Sequence, residues 1–149
     1  VENHLTLELI DDSYNANPTS MAAALEVLAV SNVENDKGGV AKGRRIAYLG
    51  DMKELGPQAD SLHAEIAGLS ATRELDVVHC VGPLMKAMYD ALPEAQKGRW
   101  AETSAEMVQG IRRDLDAGDV VLAKGSLSMK LALVVDAIRK MGHPTEAAT

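Results

Sequence analysis

Residues 11–18 read DDSYNANP: two adjacent acids, a hydroxyl, a phenol and two amides lead into a proline. A plain turn needs one or two such residues. Asn17 and Pro18 are accounted for by a helix start, with Asn17 as N-cap and Pro18 at the first helical position. That reading leaves Asp11, Asp12, Tyr14 and Asn15 unexplained. Acids at a strand end can hold Mg²⁺ through water, or accept from ribose hydroxyls or an ammonium group. A second cluster is GDMKELG, residues 50–56, which puts Asp51 just past an apolar run. A third is KGSLSMK, residues 124–130. Here Lys124 ends an apolar run, Gly125 permits close backbone approach, and Ser126 and Ser128 precede a helical pattern. Free N–H groups at a helix start, with hydroxyls and an ammonium nearby, favour a carboxylate or phosphate. A solvated lysine and a capping serine are the plainer reading of Ser128 and Lys130.

These clusters need elements to position them. Short apolar runs bounded by Gly, Asp or Pro are LTLELI, RRIAYLG, DVVHCVG and GDVVLAKG. A short edge strand is expected around Trp100. Between the runs, apolar residues recur at helical spacing over about 18–30, 60–73, 83–92, 104–115 and 128–141. Strands alternating with helices predict one doubly wound α/β domain. Its sheet is mostly parallel with helices on both faces, and its connections are right-handed. The layering is Rossmann-like, but a GxGxxG dinucleotide fingerprint is absent. In such sheets ligands sit at the carboxyl ends of the strands. DDSYNANP, GDMKELG, VGP and KGSLS all fall there, so the polar clusters are expected to share one rim.

Composition sets further bounds. The 149 residues suit one domain with a full core, built without any Phe. The net charge of −7 argues against a general nucleic-acid binder, which needs a basic face. The lone cysteine, Cys80, excludes a disulfide framework and reads as a buried small hydrophobe. No stretch has the length of a membrane span and no signal peptide opens the chain, which fits a cytoplasmic home. The start at Val1 fits a domain cut from a longer protein equally well. NVENDKGGVAKGRR reads as a polar loop and GHPTEAAT as a frayed tail. GGVAKGRR has the glycine spacing of a phosphate loop, yet Arg44 and Arg45 stand where Lys and Ser or Thr are required. Of four histidines, His63 could face the ligand edge and His79 suits a mid-strand structural role. His4 and His143 lie near the termini. No histidine–carboxylate spacing predicts a metal site.

DDSYNANPTSMAAALEVLA, RRIAYLGDMKELG and VVLAKGSLSMKLALVVDAI together resemble the C-terminal domain of the Mur ligase family. The blocks follow the family's order across nearly the whole chain. The SYNANP string resembles the branch that joins D-alanyl-D-alanine to UDP-N-acetylmuramoyl-tripeptide. The resemblance implies a three-domain, ATP-dependent enzyme of peptidoglycan synthesis working through an acyl phosphate. Its ATP and Mg²⁺ are bound mainly by a central domain, and its UDP group by a domain further upstream. This sequence contains neither, so the isolated domain is expected to be inactive. The resemblance further implies that Asp12, Tyr14 and Asn15 reach toward ATP. It makes Asn17 and Asp51 candidates for the dipeptide's ammonium and peptide groups, and Lys124, Ser126 and Ser128 candidates for its carboxylate. Leu127 stands where the family often has a basic residue, which removes a guanidinium contact at that position. A phospho-receiver module is the alternative, with Asp11, Asp12, Asp51 and Lys124 as its set; a bare interaction domain is a third.

Overall fold

The computed structural model describes residues 8–12, 16–31, 33 and 43–142, with the backbone alone for 8, 9, 11 and 12. Five strands form one sheet: β1 (Glu8–Asp12), β2 (Arg45–Gly50), β3 (Val77–Val81), β4 (Lys97–Ala101) and β5 (Val120–Lys124). Their order is β1-β5-β2-β3-β4, and every pairing is parallel. The helices are α1 (Pro18–Ala29), α2 (Ala59–Ile66), α3 (Ser70–Arg73), α4 (Met85–Ala91), α5 (Ser104–Val108) and α6 (Ala132–Gly142).

Alternation along the strands splits the core into two layers. Ala47, Leu49, Val78, Cys80, Val120 and Leu122 pack with Met21, Leu25 and Leu28 of α1, Ile66 of α2, and Met85 and Met88 of α4. Ile46, Tyr48, Val81, Val121 and Ala123 pack on the other face with Met107 of α5 and Val134, Val135 and Ile138 of α6. Methionine and leucine fill the volume that phenylalanine usually takes.

This is the doubly wound parallel architecture that the sequence predicts, with helices on both faces. The strand order differs from the receiver order 2-1-3-4-5, because β5 here lies between β1 and β2. The loop after β2 leads to a helix on one face, and the loop after β5 leads to a helix on the other. Adjacent strands whose connections part in this way open a crevice at their carboxyl ends.

Several boundaries depart from the periodicity. β1 runs through Asp11 and Asp12, which pair in register with Ala123 and Lys124. Both acids therefore belong to the strand rather than to the loop after it. The single helix expected over 60–73 is two, α2 and α3. Thr72 Oγ1 donates to Ile66 O at 2.7 Å, satisfying a carbonyl freed at the break. The helix expected over 104–115 stops at Val108, because Gly110 adopts φ 80° and a short 3₁₀ turn, Ile111–Arg113, follows. α6 begins at Ala132 rather than Ser128. A 3₁₀ turn, Leu127–Met129, precedes it, and Lys130 at φ 59° separates the two. Residues 5–7 of the expected first strand, the loop 34–42, the tail 143–149 and the terminal His4 and His143 lie outside the described residues.

Candidate functional site at the carboxyl ends of β2 and β5

The crevice is built on two glycines. A Cβ on Gly125 would lie 3.0 Å from Gly50 Cα, so only glycine lets the ends of β2 and β5 approach this closely. Immediately beyond, the two loops are hydrogen-bonded to each other. Ser126 N donates to Asp51 O at 3.0 Å, and Lys53 N donates to Ser126 Oγ at 2.9 Å. The Ser126 hydroxyl thus accepts from Lys53. Its own proton has no acceptor among the described residues and can be given to a guest.

Asp51 is fully buried. Its Oδ1 accepts from Met85 N at 2.7 Å, which ties the loop after β2 to the start of α4. Oδ2 makes no hydrogen bond among the described residues, and the Lys53 ammonium stands 3.6 Å from it. Gly82 makes room for this carboxylate: a Cβ there would come within 2.3 Å of Asp51 Oδ1, and its φ is 111°. His63 is also fully buried, with both ring nitrogens engaged. Nε2 accepts from Met52 N at 2.9 Å, and Nδ1 donates to Ala59 O at 2.7 Å. It therefore lies beneath the loop after β2 and presents no ring nitrogen to a ligand.

The remaining sequence-predicted residues divide as follows. Lys124 is buried at the end of β5, in register with Asp12 and Leu49. Asn17 caps α1: its Oδ1 accepts from Ser20 N at 2.8 Å, while Asn17 N donates to Ser20 Oγ at 3.1 Å. It lies on the same sheet edge through β1, but its side-chain oxygen is used by the cap. Ser128 is exposed within the 3₁₀ turn, so it does not cap α6. The helix-start argument for an anion at Ser126 and Ser128 therefore gives way to side-chain donors. The Asp12 side chain, Tyr14 and Asn15 lie outside the described residues.

A cleft of about 480 Å³ opens beside Asp51 and Ser126, neither of which lines it; it lies between the loops after β4 and β5, with Lys53 as its contribution from the loop after β2. Lys53, Pro83, Glu102, Thr103, Ser128 and Lys130 line it. Its size falls within the range of small-molecule sites, roughly 300–1,000 Å³. Two ammonium groups, one carboxylate and exposed hydroxyls suit a small zwitterion. A larger groove of about 1110 Å³ runs between α5, the Ile111–Arg113 turn and α6. No strand-end loop lines it, so the smaller cleft is the better candidate. Sequence reasoning did not single out Lys53, although it lies two residues past Asp51 in a quoted motif. Glu102 follows the edge strand β4, where no motif marks it. Among the described residues no three His, Cys, Asp or Glu side chains converge as a metal site.

A second polar cluster sits within the sheet face covered by α5 and α6. Tyr48 stacks on His79 with ring centroids 4.5 Å apart, and Tyr48 OH donates to Asp114 Oδ2 at 2.8 Å. Arg99 binds both Asp114 oxygens and the carbonyl of Met107. His79 Nδ1 accepts from Arg99 N at 2.9 Å, so Nε2 carries the proton. Burial lowers the His79 pKa to about 4, outweighing the attraction of Asp114. Burial and then Asp114 push the Tyr48 phenol well above its ordinary value. Burial likewise raises the Cys80 thiol, so this cysteine is inert as a nucleophile.

Fold and site together define a doubly wound α/β domain with a polar cleft at its topological switch point. The chain belongs to the Mur ligase family: the family's "Mur ligase, glutamate ligase domain" matches residues 1–127. It is 32% identical over 132 residues to the UDP-N-acetylmuramoyl-tripeptide–D-alanyl-D-alanine ligase of Bacillus subtilis, covering 87% of this chain and 27% of that protein. The ligase of the same name from Escherichia coli K12 is 32% identical over 143 residues, covering 95% and 28%. The chain thus spans little more than a quarter of these curated relatives. Among solved structures, MurF from Acinetobacter baumannii superposes with a TM-score of 0.64 at 28% identity, over 89% of this chain and 27% of that one. MurF from Thermotoga maritima, solved in complex with ADP, gives a TM-score of 0.72 at 22% identity, over 93% and 29%, and supports the fold alone. Among the described residues no helix is long and apolar enough to cross a membrane.

Proposed function

We propose that this chain is the acceptor-binding domain of an ATP-dependent ligase of peptidoglycan synthesis. The ligase joins D-alanyl-D-alanine to UDP-N-acetylmuramoyl-tripeptide. Its ATPase and UDP-binding domains are separate units outside residues 1–149. ATP, when bound between domains, activates the tripeptide carboxylate as an acyl phosphate. The work of this domain is to hold the dipeptide so that its amine meets the acyl carbon, an orientation effect. Closing over the nucleotide keeps water away from the anhydride. Asp12, Tyr14 and Asn15 are the residues proposed to face ATP.

The observation that carries this reading is the hydrogen-bonded pair of loops after β2 and β5, at the switch point, in a chain of this family. The Ser126 hydroxyl and Ser128 are proposed to donate to the dipeptide carboxylate. The Lys53 ammonium, held 3.6 Å from Asp51, adds a cation at the cleft that Ser128 lines. Lys124 supports the site from the end of β5. Glu102 offers a carboxylate of the sign an ammonium end requires, a role that the resemblance gives to Asn17 and Asp51. Both of those have oxygens already engaged, by Ser20 N and Met85 N. In the full-length ligase we expect Ser126→Ala and Ser128→Ala each to raise the dipeptide KM about tenfold, the loss of a hydrogen bond to a charged group. KM for ATP should be unchanged. Steady-state kinetics with each substrate varied checks this, and an unaltered dipeptide KM in both variants contradicts the assignment.

A further inference from the structure

Three consecutive amides in the loop after β2 are held by three different elements. Asp51 N donates to Val81 O at 3.2 Å, Met52 N to His63 Nε2 at 2.9 Å, and Lys53 N to Ser126 Oγ at 2.9 Å. Two of these partners flank the loop along the sheet. His63 reaches it from α2, which neither β3 nor β5 can replace. The ring is fixed from behind, because Nδ1–H donates to Ala59 O at 2.7 Å. That bond selects the tautomer whose Nε2 lone pair faces Met52 N. The Met52 side chain, fully buried in the layer that also holds Ile66 of α2, anchors the same joint.

We infer that His63 is a positioning residue: by accepting from Met52 N it sets the backbone that carries Asp51 and Lys53, and so the geometry offered to the acceptor dipeptide. The inference rests on the acceptor-site reading above. It differs from a ligand contact, since both ring nitrogens are already used by the protein. It differs from simple filling of space, since it requires an acceptor atom at Nε2 rather than volume alone. Leucine keeps much of the volume and removes the acceptor. Glutamine can place Oε1 where Nε2 stood.

The test compares His63→Leu and His63→Gln in the full-length ligase, with Ser126→Ala and Ser128→Ala measured beside them. We expect His63→Leu to raise the dipeptide KM about tenfold or more, as a small misplacement of binding groups does. KM for ATP should stay within about twofold, and His63→Gln should recover most of the loss. Hydrogen exchange over residues 51–54 should quicken in His63→Leu and return toward wild type in His63→Gln. Unchanged exchange and an unchanged dipeptide KM in folded His63→Leu overturn the inference. An equal loss toward every substrate also overturns it, because that marks a general defect. If His63→Leu does not fold, His63→Gln decides: wild-type exchange and dipeptide KM support the role, and defects in either reject it. Should both serine variants leave the dipeptide KM unchanged, the acceptor reading itself fails. A shift in the serine variants with none in His63→Leu rejects this inference alone.

Discussion

The Asp51, Ser126 and His63 side chains each hold a backbone amide, of Met85, Lys53 and Met52 in turn, which makes the loop after β2 a preorganised support rather than a set of independent contacts. Their residue types were readable in the sequence as polar groups past strand ends. Which atoms remained for a guest was not, because that depends on backbone amides brought together from distant segments. His79 shows the opposite case: its mid-strand position predicts a structural histidine, and the structure buries it neutral between Tyr48 and Arg99 N. Its pH dependence follows by linkage. The folded-state pKa, about 4, lies below the ordinary value of 6.5. Between those values the unfolded chain binds the extra proton, so stability contributed above pH 6.5 is lost as pH falls toward 4. The groups facing the ring are Asp114, Arg99 and Arg44, and the two arginines oppose its protonation. On the order of 3 kcal/mol is at stake. Urea unfolding from pH 7.5 to 4 should therefore show a shallower acid slope in His79→Gln than in wild type. Parallel slopes would mean that His79 does not titrate as its burial demands.

At the scale of elements, four strands were legible as short apolar runs suited to a sheet buried on both faces, and the fifth as an edge around Trp100. The helices were legible as faces but not as lengths. Gly110 and Lys130 take positive φ, and hydropathy says nothing of backbone handedness. The expected anion site at a helix start is therefore a 3₁₀ turn with an exposed Ser128. Gly82 was similarly silent in the sequence, being one glycine of a VGP loop. Its φ of 111°, and the 2.3 Å at which a Cβ would meet Asp51 Oδ1, make it the residue that admits the buried carboxylate. Gly82→Ala should destabilise the fold by about 2 kcal/mol or more, through backbone strain and displacement of Asp51. Thermal unfolding checks this, and a Tm within a degree of wild type would contradict the packing described here.

Across the whole molecule, the three sequence blocks that carry the family resemblance converge because the sheet order places β5 between β1 and β2. The order itself could not be read from the sequence. Alternating strands and helices fit several doubly wound orders, the receiver order among them, and long-range pairing chooses between them. With β5 beside β2, the loops after these two strands lead to helices on opposite faces, which places the crevice at their carboxyl ends. Asn17, the third member of the expected rim, reaches that edge only as the cap of α1. The central claim is thus that the β2 and β5 loops hold a short zwitterionic peptide. A structure of the full-length ligase with bound D-alanyl-D-alanine tests it most directly. We expect the dipeptide carboxylate within about 3.2 Å of Ser126 Oγ or Ser128 Oγ, hydrogen-bond distance, with the amine directed away from the sheet. A dipeptide bound with its carboxylate remote from both hydroxyls would contradict it.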